Sequence, residues 1–213
     1  MKRFPNFAAA GRELADELQE YRGANDTLVI AIATGGVMVG AEVAKQIQLP
    51  FDLLMIRRLL APNGAGSAIC AVNVAGRLVV DDRLGCQAST DGMDHAIADG
   101  LEQLAQREHV LRGGRAPVEV ARKNVILVDN GIHTGSTVLA AIRALRRLEV
   151  GTIVVAVPVA DPNSRAAIER AADRVVCLGW PDKFGHVGMW YQQFVRPAEQ
   201  EISEVLSNAE FRS

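Results

Sequence analysis

The sequence predicts a single α/β domain on a central, mainly parallel sheet flanked by helices, and three observations carry that expectation. Short apolar runs at 27–33 (TLVIAIA), 125–128 (VILV) and 152–160 (TIVVAVPVA) have the unbroken hydrophobicity of strands covered on both faces. Stretches with helical spacing alternate with them. Two strands run through glycine-bearing turns straight into helices, at Thr34-Gly35-Gly36 and at Asp129 to Gly135. The 213 residues, 49% hydrophobic, suffice for one sizeable core and not comfortably for two.

Taken in order, Phe7, Ala10, Leu14, Leu18 and Tyr21 recur at helical spacing and predict a covering helix over 7–21, with Asn6 as N-cap and Gly23 as stop. The strand at 27–33 then opens through Thr34-Gly35-Gly36 into the helix VMVGAEVAKQIQ. Paired glycines let backbone amides approach a ligand closely, but the same turn also serves as a tight strand-to-helix connection. FDLLMIRRL, after Pro50, reads as a strand ending in Arg57-Arg58, and APNGAGSA as a mobile loop. ICAVNVAGRLVVDD reads as a hairpin turning at Ala75-Gly76, and 89–111 as a long polar-faced helix. RGGRAP closes this insertion, about 60–120.

After the strand at 125–128 comes an amphipathic helix reaching Leu148, then the strand at 152–160. Asp161-Pro162 begins the helix PNSRAAIERAA, with Asp161 as N-cap and Pro162 at the first helical position, or with Asp161 in a metal-linked role. RVVCLGW is the last buried strand. The segment WPDKFGHVGMWYQQF gathers three of the four Trp and Tyr residues, which suits a lid, a dimer contact or plain packing against the domain.

A formal net charge of −2 gives no electrostatic case for nucleic acid or for an anionic membrane surface. The three cysteines, Cys70, Cys86 and Cys177, lack paired spacing and read as reduced. Neither a signal peptide nor a run long enough to span a bilayer is evident, so a cytoplasmic protein is expected.

The chemistry concentrates at NVILVDNGIHTGSTVLAAIRALRRL, 124–148. Asp129 and Asn130 follow the strand, Gly131 and Gly135 free the backbone, and Thr134, Ser136 and Thr137 bring hydroxyls to the start of a helix. Backbone N–H groups at a helix N-terminus with hydroxyls beside them make a phosphate site, and an adjacent acid suits sugar hydroxyls. A sugar phosphate is the ligand class these residues point to. Ligands of parallel sheets bind beyond the carboxyl ends of the strands, where both glycine turns and Arg57-Arg58 are expected to meet.

The segment VILVDNGIHTGST resembles the phosphoribosylpyrophosphate-binding motif of the type I phosphoribosyltransferases. Further likeness to a bacterial subgroup lies in Gly35-Gly36, Arg57-Arg58-Leu59, Arg112-Gly113-Gly114-Arg115, Val155 to Ala160, and Val187-Gly188 with Trp190-Tyr191. It thus covers nearly the whole chain, 1–213, with a hood at about 180–200. The resemblance implies transfer of a phosphoribosyl group from phosphoribosylpyrophosphate to a nitrogenous acceptor that the sequence does not name. It implies that Asp129 and Asn130 hold the ribose hydroxyls, that His133, Thr134, Gly135, Ser136 and Thr137 cradle the 5′-phosphate, and that Gly131 and Ile132 belong to the same binding loop. Thr34-Gly35-Gly36 would form the pyrophosphate loop and Arg57 or Arg58 would neutralise the leaving group. Mg2+ would be held mainly by the substrate's oxygens, and a homodimer is common among relatives.

Three positions depart from the family pattern. Asn130 replaces the second acid, Thr34 stands where the subgroup carries arginine, and Gly64-Ala65-Gly66 lacks the carboxylate of the usual loop. A lost charge-assisted contact costs about 1.5–3 kcal/mol. The departures therefore open a second reading, a catalytically weakened nucleotide or sugar-phosphate sensor. A third is hydrolysis or phosphorolysis of a ribosyl phosphate. His133 stands where the 6-oxopurine enzymes place a carboxylate, and either handles a base proton or lines the phosphate loop.

Overall fold

The computed structural model describes residues 3–60, 68–74, 77–81 and 91–209. Among the described residues, seven strands form one sheet: β1 (Thr27–Ala33), β2 (Phe51–Leu60), β3 (Ala68–Val74), β4 (Arg77–Asp81), β5 (Asn124–Val128), β6 (Ile153–Val157) and β7 (Arg174–Cys177). Their order is β4-β3-β2-β1-β5-β6-β7. β2, β1, β5, β6 and β7 run parallel, while β3 and β4 add an antiparallel edge. The sheet is mainly parallel, as the apolar strands require.

Strand alternation divides the core in two. Val29 and Ala31 of β1 and Ile126 and Val128 of β5 face a layer containing α1 (Phe7–Asp16), α2 (Val37–Ile47), part of α3 (Asp91–Arg112) and α6 (Glu199–Asn208). Leu28, Ile30, Ile32, Val125 and Leu127 face the other layer, with α4 (Ser136–Arg147) and α5 (Arg165–Ala171). α2 lies so close to β1 that a Cβ on Gly40 would stand 2.8 Å from Ala31 Cβ. No helix of the described residues is long and apolar enough to cross a membrane.

The hairpin and α3 are moored by buried charge. The Arg112 guanidinium lies 2.8 Å from Asp52 Oδ1 and donates from Nε to Glu108 Oε1 at 2.7 Å. Glu108 also accepts from Asn73 Nδ2 at 2.6 Å, and Asp52 accepts the N–H groups of Leu53 and Val118. Burial works to lower the Arg112 pKa, but Asp52 and Glu108 outweigh it and hold the guanidinium above its ordinary value.

Several boundaries differ from those expected. Asn6 does cap α1, its side chain accepting from the Ala9 N–H at 2.8 Å, but the helix stops at Asp16 rather than running to Tyr21. Gln19 Nε2 donates to the Ala15 carbonyl at 3.0 Å, and a short 3-10 turn, Gln19–Tyr21, follows. β6 ends at Val157 because Pro158 has no N–H to give the ladder. Likewise β7 ends at Cys177. α6 was not anticipated, although Ile202, Val205 and Leu206 have its spacing and Glu201 accepts the Ala198 N–H at 2.7 Å. The glycine-rich loop around Gly64-Ala65-Gly66 and the turn at Ala75-Gly76 lie outside the described residues.

Candidate ligand-binding site

β1 and β5 are neighbours in parallel register, Ala31 opposite Val128, so the turns that follow them emerge side by side at one edge. Glycine is what lets them touch. A Cβ on Gly36 would fall 2.7 Å from the Val128 carbonyl and 2.8 Å from Asp129 Cα, both backbone atoms that cannot yield. One on Gly35 would fall 2.8 Å from Asn130 Nδ2. The Gly36 N–H returns to the Ile32 carbonyl at 2.9 Å, and the Ala33–Thr34 peptide is cis. Thr34-Gly35-Gly36 and Asp129-Asn130 thus form one continuous surface.

Asp129 is half-buried, and burial pushes its carboxyl up to about 7, against a hydrogen bond that Oδ1 accepts from the Asn130 N–H at 2.7 Å. A half-buried carboxyl of this kind gains from any donor or cation that a ligand brings. The Asn130 carbonyl accepts the Tyr191 hydroxyl at 2.6 Å. Burial first, and the Asp129 charge second, raise the Tyr191 pKa, keeping the hydroxyl a donor.

The next residues are stitched to the end of β6. A Cβ on Gly131 would meet Val187 Cγ1 at 2.7 Å and the Val159 carbonyl at 3.1 Å. The Ile132 N–H donates to the Val159 carbonyl at 2.9 Å, and the Ile132 carbonyl accepts from the Asp161 N–H at 2.8 Å. With its side chain 2% exposed, Ile132 anchors the loop.

His133 is exposed, stacks on Phe184 at 5.8 Å between ring centroids, and brings Nε2 to 3.9 Å from Asp161 Oδ2. Thr134 and Thr137 are exposed, and Thr134 Oγ1 lies 3.1 Å from Ser136 Oγ. Gly135 takes the left-handed conformation (φ +78°) at the N-cap of α4, where it offers no capping side chain. The positive end of α4 therefore opens beside a pair of hydroxyls, the arrangement that favours a phosphate.

Of the two arginines expected here, Arg57 is exposed and lines the same cleft as Thr34. The Arg58 side chain lies outside the described residues. Asp161 is the N-cap that was expected, its Oδ1 accepting from the Asn163 N–H at 2.9 Å. The aromatic segment packs on the domain. Tyr191 is 1% exposed and bridges to Phe4, and Trp190 Nε1 donates to the Phe184 carbonyl at 2.9 Å. Trp180 is half-buried, with the Arg165 guanidinium 5.2 Å above its ring. Sequence reasoning missed the grip of Tyr191 on Asn130, because a contact across 61 positions leaves no local pattern.

A sheet of this order, with its glycine turns gathered at the carboxyl edge, defines the class of α/β folds whose ligand sites lie beyond the strand ends. The model of the phosphoribosyl transferase domain matches residues 1–193, and the chain belongs to that family. A Mycobacterium tuberculosis protein named "Putative phosphoribosyl transferase" is 33% identical over 211 residues, covering 98% of this chain and 47% of its own length. The chain thus spans about half the length of the curated relatives it matches. The crystal structure of TT1426 from Thermus thermophilus superposes with a TM-score of 0.84 at 28% identity, covering 97% of this chain and 99% of that one.

Proposed function

We propose that the protein binds phosphoribosylpyrophosphate, or a nucleotide containing ribose 5-phosphate, and transfers the phosphoribosyl group to a nitrogenous acceptor. The observation that carries this reading is the fusion of the Thr34–Gly36 turn with Asp129-Asn130, beside the hydroxyl-lined N-terminus of α4. It supplies three adjoining surfaces for one ligand. The amides and hydroxyls of Thr134 to Thr137 suit the 5′-phosphate, Asp129 and Asn130 suit the ribose hydroxyls, and the glycine turn suits the pyrophosphate.

In the reaction, the bond from ribose C1 to pyrophosphate breaks as a bond from the acceptor nitrogen to C1 forms, and the acceptor's proton leaves to solvent or to a base. Negative charge grows on pyrophosphate and positive charge on the ring, so fixed donors on one side and the Asp129 carboxylate on the other lower the barrier. Among the described residues no three His, Cys, Asp or Glu side chains cluster to hold a metal. In this proposal magnesium would be carried mainly by the substrate's phosphate and hydroxyl oxygens, with the half-buried Asp129 as a supporting carboxylate. Magnesium, when bound, offsets charge on the leaving pyrophosphate. A supply of free sugar phosphate and base suits the proposed activity to the cytoplasm, and a homodimer is part of the proposal.

Calorimetry with phosphoribosylpyrophosphate and magnesium, followed by pyrophosphate release with a panel of purine and pyrimidine bases, tests the reading. Binding together with base-dependent release is expected, and no binding at millimolar ligand overturns it. Asn130 and Thr34 favour a second reading, because the neutral Asn130 amide lies against Gly35 where the family places an acid. In that reading the protein binds without turnover. Asn130→Asp with Thr34→Arg would then restore pyrophosphate release.

A further inference from the structure

A cavity of about 500 Å3 lies along α2, in the layer that α2 shares with α1 and α6. Among the described residues it shares no lining side chain with the sugar loop or the glycine turn. Its volume falls in the ~300–1,000 Å3 range of small-molecule sites. Met38, Ala41, Lys45 and Gln48 line it from α2, at the three- and four-residue steps of one helix face. At 1.5 Å of rise per residue, that face is about 15 Å long from Met38 to Gln48. Phe51 of β2, with Val205 and Asn208 of α6, lines it as well. Two charged residues are among the lining. Glu42 is already engaged, its Oε1 accepting from Gln46 Nε2 at 2.8 Å and lying 3.5 Å from the Arg12 guanidinium. Lys45 is exposed and makes no ion pair or side-chain hydrogen bond among the described residues, and the same holds for the amides of Gln48 and Asn208.

We propose that this cavity binds a linear aliphatic monocarboxylate, its chain lying along α2 and its carboxylate beside Lys45. The site is independent of the phosphoribosyl reading. A long, narrow face floored by Met38, Ala41, Phe51 and Val205 suits an unbranched chain better than a compact ring. Each methylene buried there strengthens binding about fourfold. Lys45 lays its four-carbon stem on apolar surface and holds its ammonium at the mouth, where it meets an anion. The Gln48 and Asn208 amides are donors for the second carboxylate oxygen. The charge that fits is a single one. Both helix ends that reach the cavity, those of α2 and α6, are C-terminal and carry partial negative charge. One lysine against two such ends supports a monoanion and disfavours a phosphate dianion.

Calorimetry on the full chain tests this with hexanoate, octanoate, decanoate, decanol and decylammonium, each kept below the concentration at which it forms micelles. Affinity should rise about tenfold or more with each pair of methylenes from hexanoate to decanoate. Decanoate should bind about two- to fivefold tighter than decanol. Lys45→Glu should weaken decanoate about tenfold and tighten decylammonium, opposite effects that damage to the fold does not produce. Ala41→Phe, which fills the middle of the cavity, should abolish binding of all three ten-carbon probes. Decanoate that fails to bind at millimolar concentration overturns the proposal. So does decanoate bound no tighter than decanol, or Lys45→Glu that leaves decanoate untouched or weakens all three ten-carbon probes alike. Decanoate binding that survives Ala41→Phe overturns it as well, since the chain would then lie elsewhere.

Discussion

At Asp129, fold stability and the proposed ligand binding pull in opposite directions. Burial lifts its carboxyl from 3.8 to about 7, so the folded state holds a proton that the unfolded chain has released. Between those values the unfolded state binds fewer protons, and stability falls as pH rises from about 4 to 7. The loss is on the order of 4 kcal/mol, at 1.36 kcal/mol per pKa unit. Asp129→Asn removes the charge and keeps the shape. It should raise the melting temperature at pH 8, leave it unchanged at pH 3.5, and abolish tight ribose 5-phosphate binding. Thermal scans at the two pH values check this, and equal melting temperatures at pH 8 would show that the carboxylate is not strained by burial. Asp129 stood out in the sequence as an acid at a strand end beside glycines. Its raised pKa was not legible there, since that follows from burial, which packing decides and local sequence does not display.

At the level of elements, the sequence displays what periodicity can express and hides what packing decides. β1, β5 and α4 were readable because their apolar residues recur at strand or helix spacing within a dozen positions. The end of α1 at Asp16 was not, because a side-chain amide from Gln19 takes the Ala15 carbonyl. Nor was the mooring of α3, which joins Arg112 and Glu108 to Asp52 and Asn73 across the insertion. Removing Arg112 takes a buried cation away from two carboxylates, Asp52 and Glu108. Arg112→Ala should therefore destabilise the protein by about 3–5 kcal/mol in urea unfolding, against well under 1 kcal/mol for removing an exposed arginine. A loss below 1 kcal/mol would mean that water, and not Arg112, compensates those carboxylates. Because Arg107 of α3 lines the cleft that Thr34 and Arg57 share, the mooring fixes one wall of it.

Over the whole molecule, the site draws on chain segments that lie far apart: 34–36, 129–137, 159–161 and 187–191. Phe4 adds the N-terminal end, its N–H donating to the Trp190 carbonyl at 2.8 Å. A ligand seated there gains from, and reinforces, contacts that exist only in the folded chain. At a hundred times its dissociation constant it adds about 2.7 kcal/mol to stability. For a domain of this size that is a rise of about 5–10 °C in melting temperature. Ribose 5-phosphate should produce it, and Asp129→Asn should cancel it; a shift that survives the substitution would move the sugar elsewhere. The layered α/β plan was readable from the alternation of strands and helices, whereas the gathering of these segments depends on strand order, which the sequence does not print.

The C-terminal segment has a practical consequence that is optical. The chain holds two tryptophans, and both lie there: Trp180 under the Arg165 guanidinium and Trp190 bonded to the Phe184 carbonyl, with Phe184 itself against His133. Indole emission follows the charge and polarity near the ring. Trp190 stands one residue, Phe184, away from His133 of the proposed sugar-phosphate loop, so the unlabelled chain would carry its own reporter of occupancy there.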